Sequence, residues 1–201
     1  MKEELKEILQ ALIPCISGRW FISDGALLGI VREGDLIDYD DDIDIFIFPD
    51  TKLNFDKLPE KYKWYKDYMC FKIYNGNNQK PKIRSDWNRF TQYTGALPMC
   101  SGFNRGELFK FSSKIYREER IELQYTVPWI DIFVLEHEEE DERYIVPYYF
   151  NKKLFYYNYD ELELKTNYDL GFKIYIPNKA EAILERQYGS DWRTPNKNFK
   201  W

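Results

Sequence analysis

The sequence is poor in the residues that form the commonest metal and redox sites. Its 201 residues include a single histidine, His137, and three cysteines, Cys15, Cys70 and Cys100. The cysteines are odd in number, far apart and without a C-x-x-C pair, and the histidine lies in an acidic stretch. A disulfide framework and a Cys/His zinc site are therefore not expected. The thiols are expected to behave as small buried apolar side chains.

The sequence also lacks long apolar runs and basic clusters. No stretch approaches the roughly 20 apolar residues of a membrane-spanning helix, and glutamates interrupt the N-terminal segment, which does not resemble a signal peptide. The net charge is −5, and no group of lysines and arginines indicates binding to nucleic acid. We therefore expect a cytoplasmic protein with no membrane span and no nucleic-acid partner.

The composition is that of a folded protein. Hydrophobic residues make up 44% of the chain and aromatic residues 18%, which excludes a disordered polymer. A chain of this length is sufficient for one sizeable core. The sequence therefore predicts a single domain over residues 1–201.

Helices and strands both appear in the sequence pattern. Apolar residues at helical spacing predict an amphipathic N-terminal helix that ends at Pro14. A short helix is predicted over Ala26–Glu33, and another over Asn178–Gly189, with Asn178 as its N-cap and Gly189 as its stop. The predicted strands are Arg19–Ser23, Ile43–Phe48, Tyr68–Tyr74, Ile121–Val127 and Trp129–Leu135.

Two segments are predicted to be irregular. Residues 76–107 contain many Gly, Pro and Ser and predict a loop, and the stretch HEEEDE from His137 to Glu142 predicts a solvated acidic turn. Together with the predicted helices and strands, this indicates an α+β fold, with a small mixed β-sheet that carries helices on one side.

Six aspartates precede and enter the most apolar predicted strand. In an extended chain, residues i and i+2 lie on the same face. Asp40, Asp42 and Asp44 therefore point one way, while Ile43 and Ile45 point the other way, into a core. This alternation predicts a strand with one apolar face and one carboxylate face.

Asp42 and Asp44 are close enough on that face to repel when both are ionised. One of them would have to be protonated unless a cation lies between them. Mg²⁺, or Mn²⁺, suits such a pair, because hard divalent ions prefer carboxylate oxygens together with water and phosphate. The alternative is a solvated acidic loop ahead of a strand. A calcium loop of the EF-hand type is excluded, since Ile43 and Pro49 occupy the Gly and Glu positions of its pattern.

A second apolar strand carries a single carboxylate. Asp131 lies between Ile130 and Ile132 in the stretch PWIDIF, and a lone aspartate in such a strand is unfavourable without a partner. If this strand pairs beside Ile43–Phe48, Asp131 becomes a third ligand of the same metal. The alternative is an aspartate that faces water at the edge of a sheet.

The motif DGALLGIVREGDLIDYDDDIDI, Asp24–Ile45, resembles the signature of the LicD/fukutin family, approximately D-G-T-L-L-G-x-x-R-x-x-x-x-I-P-W-D-D-D-x-D-I. The stretch WIDIF around Asp131 is similar to a later strand of that family. Its C-terminal Y-G-x-D-W-x-x-P element is matched by Tyr188, Gly189, Asp191 and Trp192. Within the signature, the family's hydroxyl residue is replaced by Ala26, and Pro-Trp is replaced by Asp38-Tyr39.

The resemblance implies a nucleotidyltransferase-like fold and a metal-dependent phosphotransferase. Such enzymes move a phospho-alcohol, of the phosphocholine or ribitol/glycerol phosphate type, from a CDP-activated donor to a glycan hydroxyl. It implies that Asp42, Asp44 and Asp131 hold Mg²⁺ or Mn²⁺ and that Asp131 or a neighbouring carboxylate accepts a proton.

The resemblance also assigns the supporting residues. Asp40 is expected in a supporting position or at a second metal. Asp24 and Gly25 are expected to let the backbone approach the donor phosphates, and Arg32 to clamp them through its fork of donors. Within the C-terminal element, Tyr188 and Trp192 are expected to pack rather than to react, and Gly189 to cap the helix.

Three alternative functions are considered for the same residues, two of them enzymatic and one not. A nucleotidyltransferase would move a nucleoside monophosphate to a small hydroxyl compound. A glycosyltransferase would use Asp42 and Asp44 as its D-x-D metal site with a nucleotide-sugar donor. The non-enzyme alternative is an inactive copy that binds carbohydrate, although the full set of carboxylates disfavours it.

Overall fold

The structure is a computed structural model that describes residues 1–66, 70–77, 128–150 and 153–195, with the side chains of 147–150, 153 and 154 not described. The described residues all belong to one compact unit formed by Met1–Gln79 and Val127–Trp201. The predicted strand Ile121–Val127 and nearly all of the predicted loop 76–107 lie outside the described residues. The single domain over 1–201 stays a prediction.

The described chain contains helices and many short strands. The helices are α1 (Lys2–Leu12), α2 (Asp24–Glu33) and α3 (Ala180–Tyr188). The strands are β1 (Ile16–Ser17), β2 (Trp20–Ser23), β3 (Asp42–Ile47), β4 (Lys52–Leu53), β5 (Tyr62–Lys66), β6 (Cys70–Asn75), β7 (Trp129–Val134), β8 (Glu136–Glu138), β9 (Arg143–Phe150), β10 (Lys153–Asn158), β11 (Leu164–Asn167) and β12 (Ile174–Pro177). The α+β fold class is confirmed.

A five-stranded mixed sheet forms the centre, in the order β2-β3-β7-β6-β5. Strands β3 and β7 are parallel, while β2 with β3, β7 with β6, and β6 with β5 are antiparallel. The remaining strands form a three-stranded sheet β10-β9-β8 and the pairs β11-β12 and β1-β4. The predicted mixed sheet is thus present.

The two faces of the central sheet are covered differently. On one face, the isoleucines of β3 and β7, including Ile43, Ile45 and Ile130, share a buried core with the apolar sides of α1 and α2. On the other face, Phe46 and its neighbours pack against aromatic residues of β10, including Tyr157. These aromatic residues cover the end of this face that carries Phe46. Asp42 lies at the other end of β3, four residues before Phe46.

Most of the predicted elements are present with small shifts of their ends. Helix α1 ends at Leu12, and Pro14 lies in a short 3₁₀ turn directly after it. Helix α3 ends as predicted at Gly189, which has the positive φ of 94° that glycine tolerates. The strands β2, β3, β6 and β7 agree with prediction within two residues at the ends that the structure describes.

Two predictions were wrong. Asn178 is not the N-cap of α3, because that position belongs to Lys179 and has no side-chain cap. Instead, the Asn178 amide extends the β11-β12 pairing by donating to the Glu163 carbonyl at 2.7 Å. The acidic turn is also shorter than predicted, since His137 lies in β8 and pairs with Tyr144.

Within the described residues, no helix is both long enough and apolar enough to cross a membrane. The cytoplasmic location stays a prediction.

Candidate functional site

Three aspartates meet where β3 and β7 run side by side. The parallel register places Asp44 directly opposite Asp131, with Asp42 two residues earlier on the same face of β3. One carboxylate oxygen from each of the three residues lies within 4.8 Å of the others. The predicted pairing of β7 beside β3 is therefore present. It brings together the predicted trio Asp42, Asp44 and Asp131.

The trio lies in a poorly solvated position. Asp131 is 6% exposed, and Asp42 and Asp44 are half-buried. Burial raises the pKa of Asp42 well above its ordinary value, and the neighbouring charges of Asp40 and Asp131 raise it further. Burial also raises the pKa of Asp44 well above its ordinary value, with Asp42 and Asp24 adding to the effect. The local structure thus disfavours charge on these groups unless a cation is present.

A second acidic group overlaps the first. Oxygens of Asp40, Asp41 and Asp42 also lie within 4.8 Å of one another. Burial, followed by repulsion from Asp41, raises the pKa of Asp40 to about 7. Asp40 therefore lies beside the trio, and its role, in a supporting position or at a second metal, stays a prediction.

The start of α2 approaches the same carboxylates closely. A Cβ atom built on Gly25 would lie 2.6 Å from Oδ2 of Asp40, so the absence of a side chain allows this approach. Asp24 is buried and has a positive φ of 49°, and its Oδ1 accepts a hydrogen bond from Nε2 of Gln187 at 2.6 Å. The Asp24-Gly25 pair thus lies against the site, while its contact with phosphate stays a prediction.

Arg32 is at the other end of α2. Eight residues separate it from Asp24, which corresponds to about 12 Å along a helix. Its guanidinium donates to Oε1 of Glu33 at 2.5 Å and to the Trp192 carbonyl at 3.4 Å. Arg32 thus pairs with its neighbour Glu33, and the phosphate-clamp role of Arg32 stays a prediction.

Lys72 is a site residue that the sequence analysis missed. It lies opposite Asp131 in the β6-β7 pairing, and its Nζ is 2.5 Å from Oδ1 and 2.6 Å from Oδ2 of Asp131. Burial lowers the pKa of Lys72, but the combined effects of Asp131, Cys70 and Asp42 outweigh burial, and the net direction is upward. The alternation of Cys70, Lys72 and Tyr74 was visible in the sequence, but the sequence did not show which strand lies beside β7.

The C-terminal motif divides between the site and the core. Burial raises the pKa of Tyr188 well above its ordinary value, and the charges of Asp24 and Asp44 contribute, so its hydroxyl lies near the carboxylates. Trp192 is buried in the core, whereas Asp191 is exposed. Trp192 therefore packs as expected, and Gln187, one residue before the motif, was missed.

Two further polar groups have structural partners. The Ser23 hydroxyl, opposite Asp44 in the β2-β3 pairing, is 2.7 Å from the Tyr157 hydroxyl in a buried contact. Asp38, which the motif does not require, is 87% exposed and lies 2.6 Å from Nζ of Lys2. Asp38 thus belongs to a surface ion pair rather than to the carboxylate site.

The donor set of the trio fits a hard divalent cation. Three carboxylate oxygens are available within a small radius, and oxygen donors of this kind suit Mg²⁺ and Mn²⁺. Lys72 brings one positive charge to the three carboxylates, so the cluster retains excess negative charge when all are ionised. The chemistry of these residues is therefore compatible with the predicted metal.

Comparison with known proteins gives one family match. Residues 17–97 match the family model described as LicD/FKTN/FKRP, nucleotidyltransferase domain. No curated protein matches the chain. The matched segment contains Asp24, Gly25, Arg32, Asp40, Asp42 and Asp44, and it ends before Asp131. A domain of this type indicates a transferase, of the general phosphotransferase class that acts on glycans. The match confirms the resemblance of this chain to the LicD/fukutin family.

Proposed function

We propose that this protein is a metal-dependent phosphotransferase. It moves a phospho-alcohol of the phosphocholine or ribitol/glycerol phosphate type from a CDP-activated donor to a glycan hydroxyl. The observation that carries this proposal is the convergence of Asp42, Asp44 and Asp131, with oxygens within 4.8 Å of one another, on a chain whose residues 17–97 match a LicD-type domain.

Asp42, Asp44 and Asp131 would hold Mg²⁺ or Mn²⁺, and Asp40 and Asp41 provide oxygens for a second position. The bound ion would neutralise the charge of the donor diphosphate, which is a major requirement of phosphoryl transfer. Burial supports this role, because charges interact more strongly where water is scarce.

The start of α2 supplies the second part of the proposed donor pocket. Ser23 occupies the N-cap position but makes no side-chain cap; its hydroxyl contacts Tyr157 instead. Ser23 therefore does not cap the first turn of α2, and amides at a helix N-terminus favour a phosphate group. The lack of a side chain at Gly25 keeps this end of the helix close to Asp40.

A proton must leave the acceptor hydroxyl as it attacks. Both oxygens of Asp131 are engaged by Lys72 in the metal-free protein. Asp40 lies beside the trio, and burial together with repulsion from Asp41 raises its pKa to about 7 in the absence of a metal ion. Asp131 or a neighbouring carboxylate such as Asp40 would accept this proton.

A thermal-shift screen of nucleotides with and without Mg²⁺ tests the donor. By linkage, a ligand at about 100 times its dissociation constant adds about 2.7 kcal/mol to the free energy of unfolding. We expect CDP and CTP to stabilise the protein with Mg²⁺ and much less in excess chelator. Preference for UDP-sugars would favour a glycosyltransferase and contradict the proposal.

Product analysis separates the proposal from its closest rival. The matched domain is described as a nucleotidyltransferase domain, which favours transfer of a nucleoside monophosphate as the second candidate. The proposed reaction breaks the diphosphate of the donor, forms a phosphodiester with the acceptor oxygen and releases CMP. A nucleotidyltransferase would leave the nucleotide on the acceptor and release pyrophosphate from a nucleoside triphosphate.

A further inference from the structure

A row of side chains crosses the central sheet through the carboxylate site. Ser23, Asp44, Asp131, Lys72 and Tyr65 are directly opposite one another on the successive strands β2, β3, β7, β6 and β5. Directly paired residues lie on the same face of a sheet. Lys72 therefore lies on the same face as the carboxylates, next to Asp131 and on the side away from Asp44.

Lys72 and a divalent ion would compete for the same oxygens. The Nζ atom of Lys72 is within 2.6 Å of both carboxylate oxygens of Asp131, and an oxygen of Asp131 is one of the three that converge with Asp42 and Asp44. When an ion takes an oxygen of Asp131, the ammonium loses part of its partner and faces a second positive charge. Its side chain is only 14% exposed, so water offers little compensation.

An anion from the substrate would satisfy both cations. Lysine carries three donors on a flexible four-carbon stem and binds phosphate as a point charge. The Nζ atom also lies 5.3 Å from the centre of the Trp129 ring, which holds the ammonium on the carboxylate face while its contacts change. Trp129 is itself opposite Asp42, so this position remains beside the site.

We propose that Lys72 is a phosphate-binding residue of the donor site: it pairs with Asp131 in the metal-free protein and turns to a phosphate oxygen of the donor when a divalent ion binds. The inference deepens the proposed function and rests on it, because it assumes a diphosphate donor. It assigns to Lys72 the role of cationic clamp that the sequence assigned to Arg32.

The test measures binding, not turnover. Mn²⁺ binding is followed by electron paramagnetic resonance with the wild-type protein, Lys72→Met, Lys72→Arg and Lys63→Met. Inorganic pyrophosphate and CDP are then titrated calorimetrically at saturating Mn²⁺. Lys63 is the matched control, since it is an exposed lysine of β5 on the same face, opposite Tyr74. Circular dichroism establishes that each variant is folded.

The expected effects have opposite signs. Without an anion, Lys72→Met binds Mn²⁺ more tightly, because the competing ammonium is gone. With Mn²⁺ present, Lys72→Met binds pyrophosphate and CDP roughly ten- to a hundredfold more weakly, the scale of one charge-assisted hydrogen bond. Lys72→Arg retains most of the anion affinity, and Lys63→Met behaves as the wild type.

Each of the other outcomes contradicts the Lys72 inference, the CDP donor, or both proposals. If Lys72→Met binds Mn²⁺ more tightly but pyrophosphate as well as the wild type does, Lys72 is a structural partner of Asp131, and the proposed function stands. If pyrophosphate depends on Lys72 but CDP binds no better than pyrophosphate, the inference stands and the CDP donor is wrong. If the wild type binds neither Mn²⁺ nor pyrophosphate, both proposals are wrong.

Discussion

The two faces of the central sheet are made by alternate residues of the same strands, yet they impose opposite demands. Ile43 and Ile45 on β3 and Ile130 on β7 are fully buried against the apolar helices. Asp42 and Asp44, between or beside them, are held at positions where burial raises the pKa of each carboxyl. Burial of the isoleucines thus stabilises the sheet, whereas burial of the aspartates on the other face disfavours their charged form. Residues of the two faces should therefore respond differently to substitution.

The largest effect is expected on the carboxylate face. Asp44→Asn keeps the shape of the side chain but removes a charge from the trio. Transfer activity should therefore fall by about a hundredfold to a thousandfold. Steady-state kinetics with Mg²⁺ measures the loss. Asp38→Asn is the matched control within the same acidic stretch, because Asp38 is exposed and pairs with Lys2. Activity that persists in Asp44→Asn would contradict the site assignment.

The opposite face should affect stability rather than chemistry. Ile45 is fully buried, and Ile45→Ala should lower the free energy of unfolding by about 2–5 kcal/mol. Urea unfolding with and without Mg²⁺ should give the same loss, because the side chain points away from the carboxylates. The exposed Val134 of β7 provides the control, and Val134→Ala should cost less than about 1 kcal/mol. A metal-dependent loss in Ile45→Ala would show that the faces are coupled.

The two faces can also be separated by pH. The raised pKa values of Asp42, Asp44 and Asp40 mean that the folded protein binds more protons than the unfolded chain above about pH 4. Stability of the metal-free protein is then greatest at low pH and falls as pH rises through about 7. Each pKa unit corresponds to about 1.4 kcal/mol, so we expect a loss of about 1–3 kcal/mol between pH 5.5 and pH 8.

Urea unfolding in excess chelator at the two pH values measures this loss. Mg²⁺ should restore stability mainly at pH 8, where the carboxylates are ionised. Asp44→Asn should be more stable than the wild type at pH 8 without metal and should respond less to Mg²⁺. A stability that is level or rises between pH 5.5 and pH 8 without metal would contradict the raised pKa values.

The smallest effect is expected where α2 touches the carboxylate face. In Gly25→Ala the new Cβ atom would displace Asp40, which should weaken Mn²⁺ binding about three- to tenfold while changing stability by less than about 1 kcal/mol. Calorimetry measures the affinity. In an Asp40→Ala background the same change at Gly25 should have no further effect, because the clash is absent. Equal effects of Gly25→Ala in both backgrounds would rule out this contact.

The sequence predicted those features that depend on local alternation. The i, i+2 spacing of Asp42 and Asp44 and the isoleucines around Asp131 were sufficient to predict two strands with one carboxylate face each. The helix predicted over Ala26–Glu33 is also present, as α2, which begins two residues earlier at Asp24. The strands could be predicted because the side-chain period of a strand is a property of the chain itself.

Features that depend on strand order could not be predicted in the same way. Lys72 approaches Asp131 because β6 lies beside β7 in one particular register, and many registers are compatible with the alternation of β6. Gln187 reaches Asp24 from a helix more than 160 residues later in the chain. Asn178 failed as a cap because its amide continues a strand pairing. In each case a distant partner, which no local pattern specifies, determined the outcome.

The parallel pairing of β3 and β7 also has a kinetic consequence. Parallel neighbours require a crossover connection, and here Asp44 and Asp131 are joined by the long segment that includes β4, β5 and β6. Contacts between distant residues form slowly. During synthesis, a chain that has emerged only through β6 carries two of the three carboxylates and lacks the third. Metal affinity should therefore appear late, together with β7, and could serve as a direct reporter of complete folding.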